Sequence, residues 1–158
     1  MPTHSAELAL PYSPRQVFDL VADIESYPKF IGHVASARIV RRQDNHLWVD
    51  QVVQFAMLRP RFRTEADLVP PSEIRVVCKD SPLGSFDERW QFSAGASGGT
   101  LLRCRTSFEF RSVVTRVALN PVLGQVLTST MQAFRLRARQ LYGAGTSGAP
   151  GGLAARKE

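Results

Sequence analysis

Glu88 is the acidic residue that sits most oddly in this chain of 158 residues. In the stretch Phe86 to Phe92, a period of two puts it on the same face as Phe86, Trp90 and Phe92. A carboxylate turned inward needs a hydrogen-bonding partner, or its pKa rises until it is neutral. Two readings stay open: a shifted register or edge position returns it to water, or it meets the polar head of a bound molecule. The other reactive types form no constellation. His4, His33 and His46 fall near strand ends or turns and read as solvated loop residues. No serine sits in a Gly-x-Ser-x-Gly elbow, no glycine-rich phosphate loop occurs, and no histidine pair has metal spacing. Cys78 and Cys104 make neither a disulfide framework nor a zinc site, and read as buried reduced thiols. No catalytic residue, bound metal or required cofactor is expected.

Charge is the second chemical signal. The formal net charge is +6 and 17 of the 20 basic residues are arginine, whose planar fork suits phosphate and carboxylate. Arg61, Arg63, Arg75, Arg103 and Arg105 fall on the outward register, near Arg38, Arg41 and Arg42. They alternate with Glu65, Asp67, Asp87 and Glu109, so cross-strand ion pairs are one reading. A basic surface for RNA or anionic lipid is the other. Exposed aromatics for base stacking are not evident, so sequence-specific RNA reading is not expected.

These residues must be held by a largely β scaffold. Residues 3–10 alternate, with Ala6, Leu8 and Leu10 on one side. Ser13, Pro14 and Gln16 have the spacing of a capped helix start, and the helix runs to about Asp23. A short second turn spans Ser26 to Phe30. From Val34 the period becomes two again, giving strands to Arg42, over 47–55, 61–68, 73–79, 86–92 and 100–110. Asp44-Asn45, Pro70-Pro71-Ser72, residues 80–84 and residues 95–99 separate them. Clean alternation means one face buried and one solvated, as in an antiparallel meander. Leu119, Leu123, Leu127, Met131, Phe134, Ala138 and Leu141 then repeat at helical spacing, with Val126 and Thr130 on the flank. Asn120-Pro121 interrupts that segment, and the spacing predicts a break there, leaving 112–120 as a separate arm. Residues 1–142 read as one domain and 143–158 as a disordered Gly/Ala-rich tail. No apolar run reaches the roughly 20 residues that cross a bilayer, and residues 1–7 lack a secretory signal. A cytoplasmic protein is expected, with peripheral contact to the inner membrane.

At this point the chain resembles a known family. Pro11-Tyr12-Ser13-Pro14, Val17-Phe18-Asp19-Leu20-Val21-Ala22-Asp23, Tyr27-Pro28-Lys29-Phe30, Trp90, Phe108-Glu109-Phe110-Arg111-Ser112 and Ala138-Arg139-Gln140-Leu141-Tyr142 carry the likeness. They are similar to the coenzyme Q-binding and RatA-type branch of the START-like superfamily, which includes polyketide cyclase/dehydrase-like proteins. The family commonly follows Tyr-Pro-x-Phe with Leu-Pro-Trp-Cys. This chain has Ile31-Gly32-His33-Val34 there.

The resemblance implies an α+β helix-grip fold: a seven-stranded curved antiparallel sheet around a long C-terminal helix, with two short helices between strands 1 and 2. It implies a non-catalytic protein whose guest is ubiquinone (coenzyme Q) or a similar isoprenoid lipid. A RatA-type toxin of the large ribosomal subunit is the alternative it leaves, and a polyketide cyclase-like enzyme the third. Taken alone, Phe55, Phe62, Trp90, Phe108, Met131 and Phe134 read as plain core. With the resemblance they line a cavity, together with Val21, Tyr27, Phe30, Val53, Leu123 and Leu127. Glu88 is then the polar head-group contact.

Overall fold

The computed structural model describes residues 2–55, 57–96 and 98–143, so the expected tail lies outside the described residues except for Gly143. Seven strands form where the sequence alternates: β1 (Thr3–Leu10), β2 (Val34–Gln43), β3 (His46–Val53), β4 (Arg61–Val69), β5 (Glu73–Ser81), β6 (Gly84–Ala94) and β7 (Thr100–Phe110). Helix α1 (Pro14–Ala22) and a 3-10 helix (Ile24–Lys29) join β1 to β2, and α2 (Val113–Tyr142) closes the chain. The strands make one sheet in the order β1-β7-β6-β5-β4-β3-β2, every neighbour antiparallel.

Local chemistry fixes the junctions. Ser13 Oγ accepts from the Gln16 N–H at 3.1 Å, and Gln16 Oε1 accepts from the Ser13 N–H at 3.0 Å, with Pro14 opening α1. Asp44 takes φ +53° at the β2–β3 turn, a left-handed conformation that a short polar side chain tolerates. The turn between β5 and β6 is tighter than the expected 80–84 loop, because the strands extend to Ser81 and resume at Gly84. Gly84 has φ +139°, and a Cβ there would lie 2.0 Å from the Glu109 carbonyl oxygen on β7. Gly84→Ala is therefore expected to cost more than about 1 kcal/mol of stability, read as a lower urea midpoint at unchanged m-value.

The concave face is closed tightly at one end. Phe18 of α1 meets Phe92 of β6 edge-on at 5.2 Å. Phe134 of α2, fully buried, is the hub of a cluster with Tyr27, Phe30 and Trp90 at 5.5, 5.7 and 5.5 Å. Tyr142 donates to the Gln16 carbonyl at 3.1 Å and lies 5.5 Å from Tyr12. It anchors the end of α2 in place of Leu141, which is half exposed.

The expected break at Asn120-Pro121 is absent: α2 is one helix from Val113 to Tyr142, with Pro121 inside it. A proline interior to a helix costs about 3 kcal/mol. Leu119 and Leu127, buried on either side, hold the helix to the sheet, and Asn120 Oδ1 bonds His4 Nε2 of β1 at 2.8 Å. Val117, whose carbonyl loses its donor, is at the surface, where water serves it. Residues 112–120 are thus no separate arm.

Candidate ligand cavity

Toward the other end of the sheet, α2 stands off the strands and a cavity of about 200 Å³ remains. In a meander the starts of β2, β4 and β6 lie at the same end as the finishes of β3, β5 and β7. Val53, Phe55, Phe62, Ser81, Phe86 and Phe108 come from that end, and Leu123, Val126, Leu127 and Thr130 of α2 face them. Around Phe134, by contrast, the rings of Tyr27, Phe30 and Trp90 fill the space between helix and sheet.

Of the residues the sequence assigns to the cavity, Val21, Tyr27, Val53, Phe55, Phe62, Trp90, Phe108, Leu123 and Leu127 line it. Phe30, Met131 and Phe134 do not. Met131, next after Thr130 but on another side of α2, and Phe134, one turn beyond Thr130, are buried in the core, and Phe30 is covered by the Arg137 guanidinium at 5.2 Å. These three are wall rather than lining.

The cavity also has a polar lining, which the strand alternation places on the inner face. Two residues back from Ala6 on β1 is His4. Gln51 falls between Val49 and Val53, Thr64 between Phe62 and Ala66, and Thr106 between Cys104 and Phe108, and all four line the cavity. His33 also lines it and lies 3.4 Å from Thr130 Oγ1, and burial lowers its pKa. His46 sits outside, between Asp67 and Glu65 at 2.5 and 2.9 Å. The hydrogen bond to Asp67 raises its pKa first, and Glu65 adds to that. The expectation of three solvated loop histidines is therefore corrected: each is held by the fold.

Glu88 faces the cavity in unshifted register, opposite Val76 on β5 and Thr106 on β7. Its Oε1 accepts from Trp90 Nε1 at 3.0 Å and its Oε2 from Thr106 Oγ1 at 2.9 Å. Burial raises its pKa, against hydrogen bonds from Trp90, Thr106 and Cys104, which favour the charged form. Tyr27, whose hydroxyl donates to the Val21 carbonyl, and Cys104 are both pushed well up, by burial first and by Glu88 second. A thiol held protonated is a poor nucleophile, and Cys78 and Cys104 are both free and buried. No cluster of three or more metal-ligating side chains occurs among the described residues.

The Glu88 shift has a sign in stability. Its folded pKa lies above the unfolded one, so the native state holds a proton that the unfolded chain has released. The stabilisation is complete below the ordinary carboxylate range and is lost as pH rises through the raised value. Glu88→Gln is expected to flatten this slope, gaining on the parent as pH climbs. Urea midpoints from pH 4 to 8 check it, and parallel curves would mean an unshifted carboxylate.

On the outer face Arg63, Arg75 and Arg103 pair with Asp50, Asp87 and Glu7 at 2.6, 2.5 and 2.8 Å. Arg61 and Arg105 have no ion pair among the described residues. Trp48 also lies outside, with the Arg41 guanidinium 4.4 Å over its ring. No helix among the described residues is long and apolar enough to cross a membrane.

With this geometry in hand, the likenesses to known proteins can be placed. The sequence matches the family described as polyketide cyclase / dehydrase and lipid transport over residues 10–135. It is 29% identical to a ribosome association toxin RatA of Pseudomonas aeruginosa, covering 90% of this chain and 100% of that one. It is 28% identical to a mitochondrial coenzyme Q-binding protein COQ10 homolog B of Xenopus laevis, covering 89% of this chain but 59% of the other. A solved START superfamily protein of Mycobacterium smegmatis superposes with TM-score 0.77 over 88% of this chain and 98% of its own, at 17% identity, which bears on the fold alone.

Proposed function

The chain belongs to the polyketide cyclase / dehydrase and lipid transport family, and we propose that within it the protein is a non-catalytic carrier of an isoprenoid quinone such as ubiquinone. The observation that carries this reading is the cavity: apolar walls, a few polar groups, and one end closed by the Phe134 cluster. Its volume of about 200 Å³ exceeds the roughly 150 Å³ of an apolar cavity known to take benzene. A substituted ring fits; a long tail does not, and leaves along the first half of α2. Burying a ring of roughly 150–200 Å² contributes about 4–5 kcal/mol before the costs of association. That is millimolar at best, so the tail supplies most of the affinity. The cavity's titratable groups support a binding role, since Tyr27 and Cys104 are held protonated and His33 is held neutral.

The test is mass spectrometry of an organic extract of the purified protein, followed by calorimetric titration with quinones of increasing tail length. A co-purifying quinone, or affinity rising with each isoprene unit, supports the carrier. Absence of any extracted quinone together with no binding of added quinone excludes it.

A second reading is association with the large ribosomal subunit, favoured by the likeness to RatA over 90% of this chain and by Arg61 and Arg105 standing on the outer face without ion pairs among the described residues. Arg63, Arg75 and Arg103 are committed to carboxylates and weigh less. This reading expects salt-sensitive co-sedimentation with large subunits that falls on charge reversal at Arg61 and Arg105. Unchanged sedimentation would remove the outer face as the contact.

A further inference from the structure

We propose that Glu88, clamped by Trp90 and Thr106, donates a hydrogen bond that selects an uncharged head bearing a carbonyl oxygen and excludes anionic lipids from the cavity. The proposal rests on the carrier reading and specifies the chemistry of its guest.

The geometry leaves little choice of role. One carboxyl oxygen takes the Trp90 N–H and the other the Thr106 hydroxyl, which fixes the plane of the group on the cavity wall. Trp90 can only donate, so its partner Oε1 is the carbonyl-type oxygen and, when Glu88 is neutral, its proton resides on Oε2. Thr106 spends its own hydrogen on Oε2. The acid proton is then left for whatever occupies the cavity.

The groups around Glu88 favour this neutral state. Val76 faces it from β5 and brings no charge. Tyr27 of the 3-10 helix and Cys104 of β7 are the titratable neighbours, and burial pushes the pKa of both well up, so neither brings a charge to Glu88. No cation pairs with it among the described residues, and burial raises its pKa. The cavity's two histidines are engaged elsewhere, His4 with Asn120 and His33 with Thr130.

A buried donor discriminates between heads by what it leaves unpaired. A quinone, ketone or ester carbonyl completes the site. A hydrocarbon ring fills the space but strands the proton. A fatty-acid carboxylate or a phosphate has no cation here to neutralise it, and it ionises in competition with Glu88. Sites built around a polar contact reject analogues lacking the partner far better than apolar pockets reject a missing methylene.

The experiment is calorimetric titration of the whole protein with three probes: a benzoquinone carrying two isoprene units, the alkylbenzene of the same skeleton without oxygens, and a C16 fatty acid. At pH 7 the quinone is expected to bind about tenfold or more tighter than the alkylbenzene, the scale of one net hydrogen bond. The fatty acid is expected to be weaker still. Glu88→Leu should erase the quinone preference, so that quinone and alkylbenzene bind alike. Glu88→Gln, whose amide also donates, should keep the preference and lose the fall in affinity that the parent shows as pH rises. If all three probes bind the parent equally, or Glu88→Leu leaves the preference intact, the carrier reading stands and the role of Glu88 is overturned. If no probe binds, the carrier reading falls and takes the proposal with it. Circular dichroism of both variants confirms that a loss is not a failure to fold.

Discussion

Phe134→Ala is expected to lower the unfolding free energy by about 3–5 kcal/mol, the range for truncating a buried aromatic. Phe134 is fully buried and touches three other rings, Tyr27, Phe30 and Trp90, which come from the 3-10 helix, the loop after it and β6. Its removal leaves a hole that three separate elements would have to collapse into together, so relaxation is limited. Against a total stability on the order of 5–15 kcal/mol, the loss is large enough to bring the variant near unfolding at 37 °C. Urea denaturation with near-ultraviolet circular dichroism reads it directly. A loss below 1 kcal/mol would mean that α2 is not anchored at this end of the sheet.

Val76→Trp is expected to do the reverse. Val76 packs against the core on one side and lines the cavity beside Glu88, so a larger side chain can extend into space that is already empty. Stability should change by less than about 1 kcal/mol, whereas overfilling a packed core costs roughly 1–3 kcal/mol. Quinone affinity should fall by about 100-fold or more, because the ring can no longer bury the surface that drives its binding. The pair of variants separates wall from cavity: one loses the fold, the other loses the guest. A Val76→Trp protein that binds as before would place the ligand somewhere else.

The strands were legible because their cause is local. Alternation at Ile74, Val76 and Cys78 or at Leu102, Cys104 and Phe108 reflects a two-residue period that each peptide unit imposes on the next. The start of α1 was legible for the same reason, since Ser13, Pro14 and Gln16 satisfy one another within a single turn. Alternation also carried more than was read from it. His4, Gln51, Thr64 and Thr106 are the polar members of inward-facing registers. Glu88 alone was noticed, being charged, and its two readings could not be separated without knowing which donors lay across the strands.

Distances between elements are not local, and that is where the reading failed. Nothing in the spacing of Leu123, Leu127, Met131 and Phe134 says that the first two border an open cavity while the last two are packed away from it. That depends on the 3-10 helix bringing Tyr27 and Phe30 beneath Phe134. Pro121 misled for the same reason: its cost is intrinsic and visible in sequence, whereas the contacts of Leu119, Asn120 and Leu127 that outweigh it come from elsewhere in the chain.

The sequence by itself determined which apolar residues face inward, where the strands turn and that a C-terminal helical segment covers the sheet. Backbone periodicity and turn chemistry suffice for these, because they act over a few residues. Only the tertiary structure decided that the space is about 200 Å³, that Phe30, Met131 and Phe134 close it rather than line it, that Trp90 and Thr106 hold Glu88, and that Arg61 and Arg105 lack the ion pairs of their neighbours. A cavity is the volume left over when distant elements stop short of contact, and a partner is whatever the register brings across. Both are sums over the whole chain.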